Sequence, residues 1–224
     1  MRRWAALAAA LLLAAGCSGK PPVLSRVFGR VIYLHDSASN TNSETLGVYL
    51  VASDPDGMEN LSAFYVIDDD AELFWKVDSS SWVTSTAEGE TWIGTTSLAM
   101  PGAAPVPAGQ YRVVLQAKGS ATVEETLAVP SRSVSAADAK YPTAVVENGF
   151  IKVSGVPAGY EIWTYGKDGK FAGTYSPAGA AGPFSVQSIA ASSAALSGGF
   201  TFRVFSWNAS AGYGVLSGSY PSGS

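Results

Sequence analysis

The sequence holds one histidine, so a hydrolase built on a serine or cysteine nucleophile would have to use His35 as its base. His35 follows the apolar run "RVFGRVIYL" at the end of an expected strand, before Asp36 and Ser37. Successive residues on a strand point to opposite faces, so His35 and Asp36 do not make a ready dyad. The G-x-S-x-G elbow is absent. One histidine and one cysteine are too few for a zinc site of the His/Cys type. His35 is therefore expected to be a surface loop residue. Two acidic clusters remain: Asp54, Asp56 and Glu59 in "DPDGMEN", and Asp68, Asp69 and Asp70 in "DDD". Calcium takes roughly six to eight oxygens from converging ligands, and the EF-hand spacing is missing. The clusters read as polar turns at strand ends, with Asp54, Asp56, Asp68 and Asp70 as the only calcium candidates. Nothing sets two carboxylates at the separation that glycoside hydrolysis requires.

The aromatic residues offer a second kind of chemistry. Trp75, Trp82 and Trp92 lie close together in "FWKVDSSSW" and "TWIG". In "ELFWKVD" the strand period puts Leu73, Trp75 and Val77 on one face and Phe74 and Lys76 on the other, which assigns Trp75 to a core. Trp82 and Trp92 are the ligand-binding candidates, since exposed tryptophans on a β face stack on sugar rings or anchor a protein partner.

These residues sit in a chain that reads as short strands cut by turns. "LGVYLVA", "LSAFYVID", "ELFWKVD", "WVTST" and "TWIGTTSL" are separated by Asp, Ser or Gly, and "YRVVLQA-KGS-A-TVEETLAV" reads as a hairpin. In the second half, "AVVENGFIKVSG" turns on Asn148-Gly149, the favoured hairpin pair, and "GYEIWTYGKDGKFAGTYS" turns near Lys167-Asp168-Gly169. "FTFRVFSWN" puts Phe200, Phe202, Val204 and Ser206 on one face and Thr201, Arg203, Phe205 and Trp207 on the other. Only "SVQSIAASSAALSGG" breaks the pattern, as a short helix or a connecting loop. The class expected is all-β, with two tandem antiparallel β-sandwich domains. The boundary expected is "PSRSVSAADAK", which is small, polar and bracketed by Pro130 and Pro142. The organisation that follows is a signal segment 1–16, a tether 17–24, one sandwich over 25–130, a linker over 131–141 and a glycine-rich sandwich over 142–224.

The N-terminus explains the single cysteine. Arg2 and Arg3 precede an apolar run of about a dozen residues, which suits the hydrophobic region of a signal peptide. A membrane-spanning helix needs about 20. Ala14, Ala15 and Gly16 lead to Cys17. The stretch "LLLAAGCSGK" resembles the lipobox of bacterial lipoproteins, with Ala14 where leucine is commoner, as in the looser lipoboxes of spirochaetes. The resemblance implies cleavage before Cys17, a diacylglycerol on its sulfur and acylation, palmitate included, at the new N-terminus. Ser18 in place of Asp implies the outer rather than the inner membrane. Without Arg2 and Arg3 the chain has 12 basic against 18 acidic side chains, a net charge of −6. That sign excludes nucleic acid as a partner, because binding it requires a basic patch.

"PVPAGQYRVVLQAKG", its echo "GVPAGYEIWTYGKDG" and "VASDPDG" resemble the turn-and-strand chemistry of bacterial immunoglobulin-like and fibronectin-III-like domains. The resemblance implies the sandwich fold and no ligand. The function expected is that of a non-catalytic envelope lipoprotein without cofactor, held to the membrane through its lipid. Its role would be binding, scaffolding or surface display toward an envelope protein or a glycan. The alternatives are a carbohydrate-binding module using its exposed tryptophans, and a hydrolase with an unrecognised site.

Overall fold

The computed structural model describes residues 20–87, 89–155, 159–176 and 184–223. The signal segment and the lipidation site Cys17 lie outside the described residues. The chain is nearly all β, with antiparallel sheets in a β-sandwich-like architecture. The strands are Val23–Asp36 (β1), Thr41–Ser53 (β2), Leu61–Asp68 (β3), Leu73–Asp78 (β4), Val83–Ala87 (β5), Glu90–Ala99 (β6), Gly109–Ala117 (β7) and Thr122–Val129 (β8). They continue with Thr143–Glu147 (β9), Phe150–Ser154 (β10), Tyr160–Tyr165 (β11), Phe171–Tyr175 (β12), Phe184–Ser185 (β13), Thr201–Asn208 (β14), Tyr213–Leu216 (β15) and Tyr220–Pro221 (β16). Among the described residues one short α-helix, Val186–Ala191 (α1), follows β13.

Two compact units divide the chain, and the division is not the contiguous one expected. The first takes residues up to Gly29, then Val48–Thr95 and Gly109–Val129; the second takes Arg30–Gly47, Thr96–Ala108 and Pro130–Ser224. The strands β1, β2 and β6 are long enough to contribute one end to each unit.

The first unit contains the antiparallel sheet β4-β3-β7-β8. Its inward face follows the strand period. Phe64 is paired with Val77 on one side and Leu115 on the other, Val66 with Trp75 and Val113, and Tyr111 with Leu127. Phe64, Val66, Tyr111, Val113 and Leu115 are all fully buried, as are Val48, Leu50 and Ile93 of the same unit. Gly29 leaves room for Leu127: a Cβ there would stand 2.7 Å from Leu127 Cδ2. The turn joining β7 to β8 is the expected one, with its positive φ on Ser120 beside Gly119.

The second unit contains the path β12-β11-β14-β15-β1, with β16 also paired to β14, and a small sheet β13-β10-β9. Asn148 and Gly149 join β9 to β10 with φ of 51° and 76°, the two left-handed residues that a type I′ hairpin needs. The pair β1–β15 is parallel, Val31 facing Tyr213 and Leu34 facing Leu216, an exception to the antiparallel rule. Ile151, Ile162, Phe202 and Val204 form one core with Ile189 of α1 and Leu196. Ser185 caps α1 by accepting from Ser188 N at 3.3 Å. On the opposite sheet face Ile32, Trp163, Phe205 and Leu216 form a second apolar cluster. Both faces of β11 and β14 are thus covered, which is why these strands are apolar on both.

The segment 131–141 is not a free linker. Arg132 keeps only 7% of its side chain exposed and pairs at 3.3 Å with Glu44, itself 6% exposed. The Arg132 guanidinium also donates to the Val106 and Pro130 carbonyls, and Val106 N donates to Glu44 at 3.0 Å. The buried Tyr33 hydroxyl donates to the Val134 carbonyl at 2.5 Å, and Tyr141 donates to that of Ala136 at 2.7 Å. The small residues that suggested flexibility let this backbone lie close, and one arginine with two tyrosines pins it within the second unit.

Candidate functional site

The second unit carries an open cleft of about 350 Å³ lined by Arg30, Tyr160, Glu161, Ser176, Phe205 and Trp207, with Gly159 at its edge. Strand alternation assembles it. Phe205 and Trp207 lie on the same face of β14, and Glu161 is paired with Phe205 across β11. Between β14 and β1 runs β15, where Gly214 is paired with both Trp207 and Ile32. A Cβ on Gly214 would stand 2.5 Å from Phe205 Cε2 and 3.5 Å from Trp207 Cε3. Glycine at this position therefore lets Phe205 lie flat over the sheet, and it leaves the way open for Arg30 to reach from β1 to the Trp207 ring, 5.1 Å from its centroid.

The Glu161 carboxylate of the cleft is held in place. Trp163 stacks on Phe205 at 4.7 Å and donates from Nε1 to Glu161 Oε2 at 2.9 Å. One carboxylate oxygen is so engaged and the other remains to accept. Tyr160 is buried on the core side, and burial raises its phenol above the ordinary value of 10.0, so it stays a neutral donor and acceptor. Among the described residues no carboxylate forms an ion pair with Arg30. The cleft thus presents a donor-only group, an acceptor-only group, the Ser176 hydroxyl and an aromatic wall. The second face of "FTFRVFSWN" held the signal: two large aromatics where a solvent-facing alternation would be polar.

The other candidates are placed as follows. Trp82 is half-buried and stacks on the core residue Phe64 at 6.0 Å. Trp75 is half-buried over Tyr111 at 6.3 Å, on the inward face expected for it, and Phe74 is 70% exposed. Trp92 is half-buried beside the exposed Phe28 at 5.4 Å, with Arg26 over its ring at 5.6 Å and Arg26 ion-paired to Glu90. His35 is half-exposed, donates from Nδ1 to Asn42 Oδ1 at 2.8 Å and lies 5.4 Å from the Tyr141 ring.

The acidic clusters hold turns together. Asp54 accepts from Asp56 N and from the Asn60 amide, Asp56 accepts from Lys20 N, and Asp68 accepts from the backbone N–H groups of Asp70 and Ala71. No group of three or more His, Cys, Asp or Glu among the described residues is arranged to hold a metal. Calcium at about 1 mM is expected to leave the melting temperature unchanged. A calcium-specific rise lost in Asp56→Asn would instead locate an ion at these turns.

Three surface aspartates lie below their ordinary value of 3.8. The Ser39 hydroxyl does this for Asp36, the Arg112 guanidinium for Asp69 and the Lys170 backbone N–H for Asp168. A folded value below the unfolded one contributes stability above pH 3.8, and that contribution is lost as pH falls through the folded value. Melting temperature is therefore expected to hold between neutral pH and about pH 5 and to fall below about pH 4. Thermal melts across that range check it.

No helix among the described residues is long and apolar enough to cross a membrane. No family model matches the sequence, and no curated protein matches it. Among solved structures the chain is similar to Tp47, the 47-kilodalton lipoprotein of Treponema pallidum, at 13% identity, over 89% of this chain and 51% of that one, with a TM-score of 0.33. It is also similar to the dimeric latent PorU from Porphyromonas gingivalis, at 12% identity, over 90% of this chain and 20% of that one, with a TM-score of 0.33. The chain spans about half the length of the first and a fifth of the second.

Proposed function

We propose that the protein is a non-catalytic module of a bacterial cell envelope, anchored through a lipid on Cys17, that binds its partner in the cleft of the second unit. The cleft is the observation that carries the reading. It places an aromatic wall, a cation with no carboxylate partner among the described residues and a half-engaged carboxylate on β strands, in a volume at the low end of the range of about 300–1,000 Å³ typical of small-molecule sites. Rigid strands hold such groups in place before the ligand arrives, and this preorganisation favours affinity. The envelope location rests on "LLLAAGCSGK" and its resemblance to a lipobox.

The test has two arms in a bacterium fed an alkyne fatty acid. The wild-type protein is expected to take up the label and fractionate with membranes, and Cys17→Ala to do neither. Two or three acyl chains hold a protein firmly where one holds it marginally. Equal labelling of the variant would end the anchor assignment. In the second arm, purified protein left unlipidated by Cys17→Ala is mixed with washed cell envelopes. Arg30→Ala should lose most of the retention seen with wild type while melting unchanged; full retention would remove the cleft from the account.

A further inference from the structure

We infer that the cleft lined by Arg30, Glu161, Ser176 and Trp207 takes a neutral saccharide of about one or two rings, an assignment that rests on the binding-module reading above. The charges decide the ligand class. Arg30 offers only donors, and the free oxygen of Glu161 only accepts. An anion drawn to Arg30 meets the Glu161 carboxylate, and a cation drawn to Glu161 meets the guanidinium. A hydroxyl both donates and accepts, so neighbouring ring hydroxyls satisfy the two groups together and leave no net charge buried. Ser176, exposed at the end of β12, adds a hydroxyl of the same kind. Trp207 then meets the apolar C–H face that a sugar ring keeps beneath its hydroxyls, and Phe205, 3% exposed and stacked on Trp163, forms the floor of the cleft.

The aromatic residues of the first unit serve this chemistry less well. Arg26 is already paired with Glu90 over Trp92, and Trp82 is stacked on Phe64. A ligand there would have to break an ion pair before gaining a hydrogen bond. Arg30 has no carboxylate to leave among the described residues, and its guanidinium is held over Trp207.

The experiment is calorimetric titration of the full-length protein in detergent. The probes are cellobiose, maltose, lactose and the disaccharide of N-acetylglucosamine, with glucuronic acid, glucosamine and glycylglycine as charged and zwitterionic comparisons. At least one neutral disaccharide is expected to saturate the protein and to bind more tightly than either charged sugar. Arg30→Ala and Glu161→Gln should each weaken it about tenfold, the cost of one good hydrogen bond. Arg30 is exposed, so its removal leaves the fold intact, and unchanged melting confirms this. If every neutral sugar fails while glycylglycine saturates and Arg30→Ala abolishes that binding, the saccharide class is wrong and the binding module stands. If a sugar binds with equal affinity to both variants, the site is wrong. If no probe binds and Arg30→Ala also leaves envelope retention untouched, both the inference and the reading beneath it fall.

Discussion

Arg132→Ala is expected to lower stability by about 3–5 kcal/mol, the range for removing one partner of a buried ion pair. The carboxylate of Glu44 is 6% exposed and is left with its bond from Val106 N once the guanidinium is gone. The Val106 and Pro130 carbonyls lose their donor in the same step. For a chain of this length the fall in melting temperature is roughly 6–20 °C. Replacing both partners, as Glu44→Met with Arg132→Leu, should recover most of the loss, because apolar side chains need no counter-charge. Urea denaturation of the two single variants and the double variant measures the coupling. A single-variant loss below about 1 kcal/mol would be the figure for an exposed pair, and would mean that 131–141 is not pinned by this contact.

Phe64→Ala is expected to cost about 3–5 kcal/mol, the cost of emptying a phenylalanine site in a core. The side chain is fully buried between Val77 and Leu115, and Trp82 stacks on it. The cavity would also release Trp82 toward solvent. Acrylamide should therefore quench tryptophan emission more strongly in the variant, and the difference should vanish when Trp82→Phe is introduced into both backgrounds. A small stability loss with unchanged quenching would place Trp82 on the surface, as the sequence pattern had suggested.

The contrast between Trp75 and Trp82 shows where local pattern suffices. Trp75 lies inside a strand, so the period of two assigns its face, and it lies on the side of Val77 as expected. Trp82 precedes its strand, where no period applies, and only the neighbouring sheet decides that it covers Phe64. Turns were legible for the same local reason: Asn148 and Gly149 need no tertiary partner to favour left-handed backbone.

The division into units was not legible, because it depends on pairings remote in sequence. The parallel contact of β1 with β15 joins Val31 to Tyr213, and no periodicity encodes such a choice of neighbour. "PSRSVSAADAK" misled because small polar residues are compatible both with an exposed tether and with backbone lying close to a neighbour; Arg132 decides for the second by finding Glu44. The cleft was half legible. Phe205 and Trp207 fall on one face of β14 by alternation alone. The arrival of Arg30 over Trp207 needs the strand order.

Photo-crosslinking in the living cell tests the binding account most directly. A benzophenone amino acid replaces Ser176, at the rim of the cleft, and in a second strain replaces Phe74, which is 70% exposed in the first unit. The account predicts an adduct of defined mass at position 176 that disappears in the Arg30→Ala background, and none at position 74. Adducts of equal yield at both positions, or none at 176 in cells whose protein is anchored and folded, would contradict it.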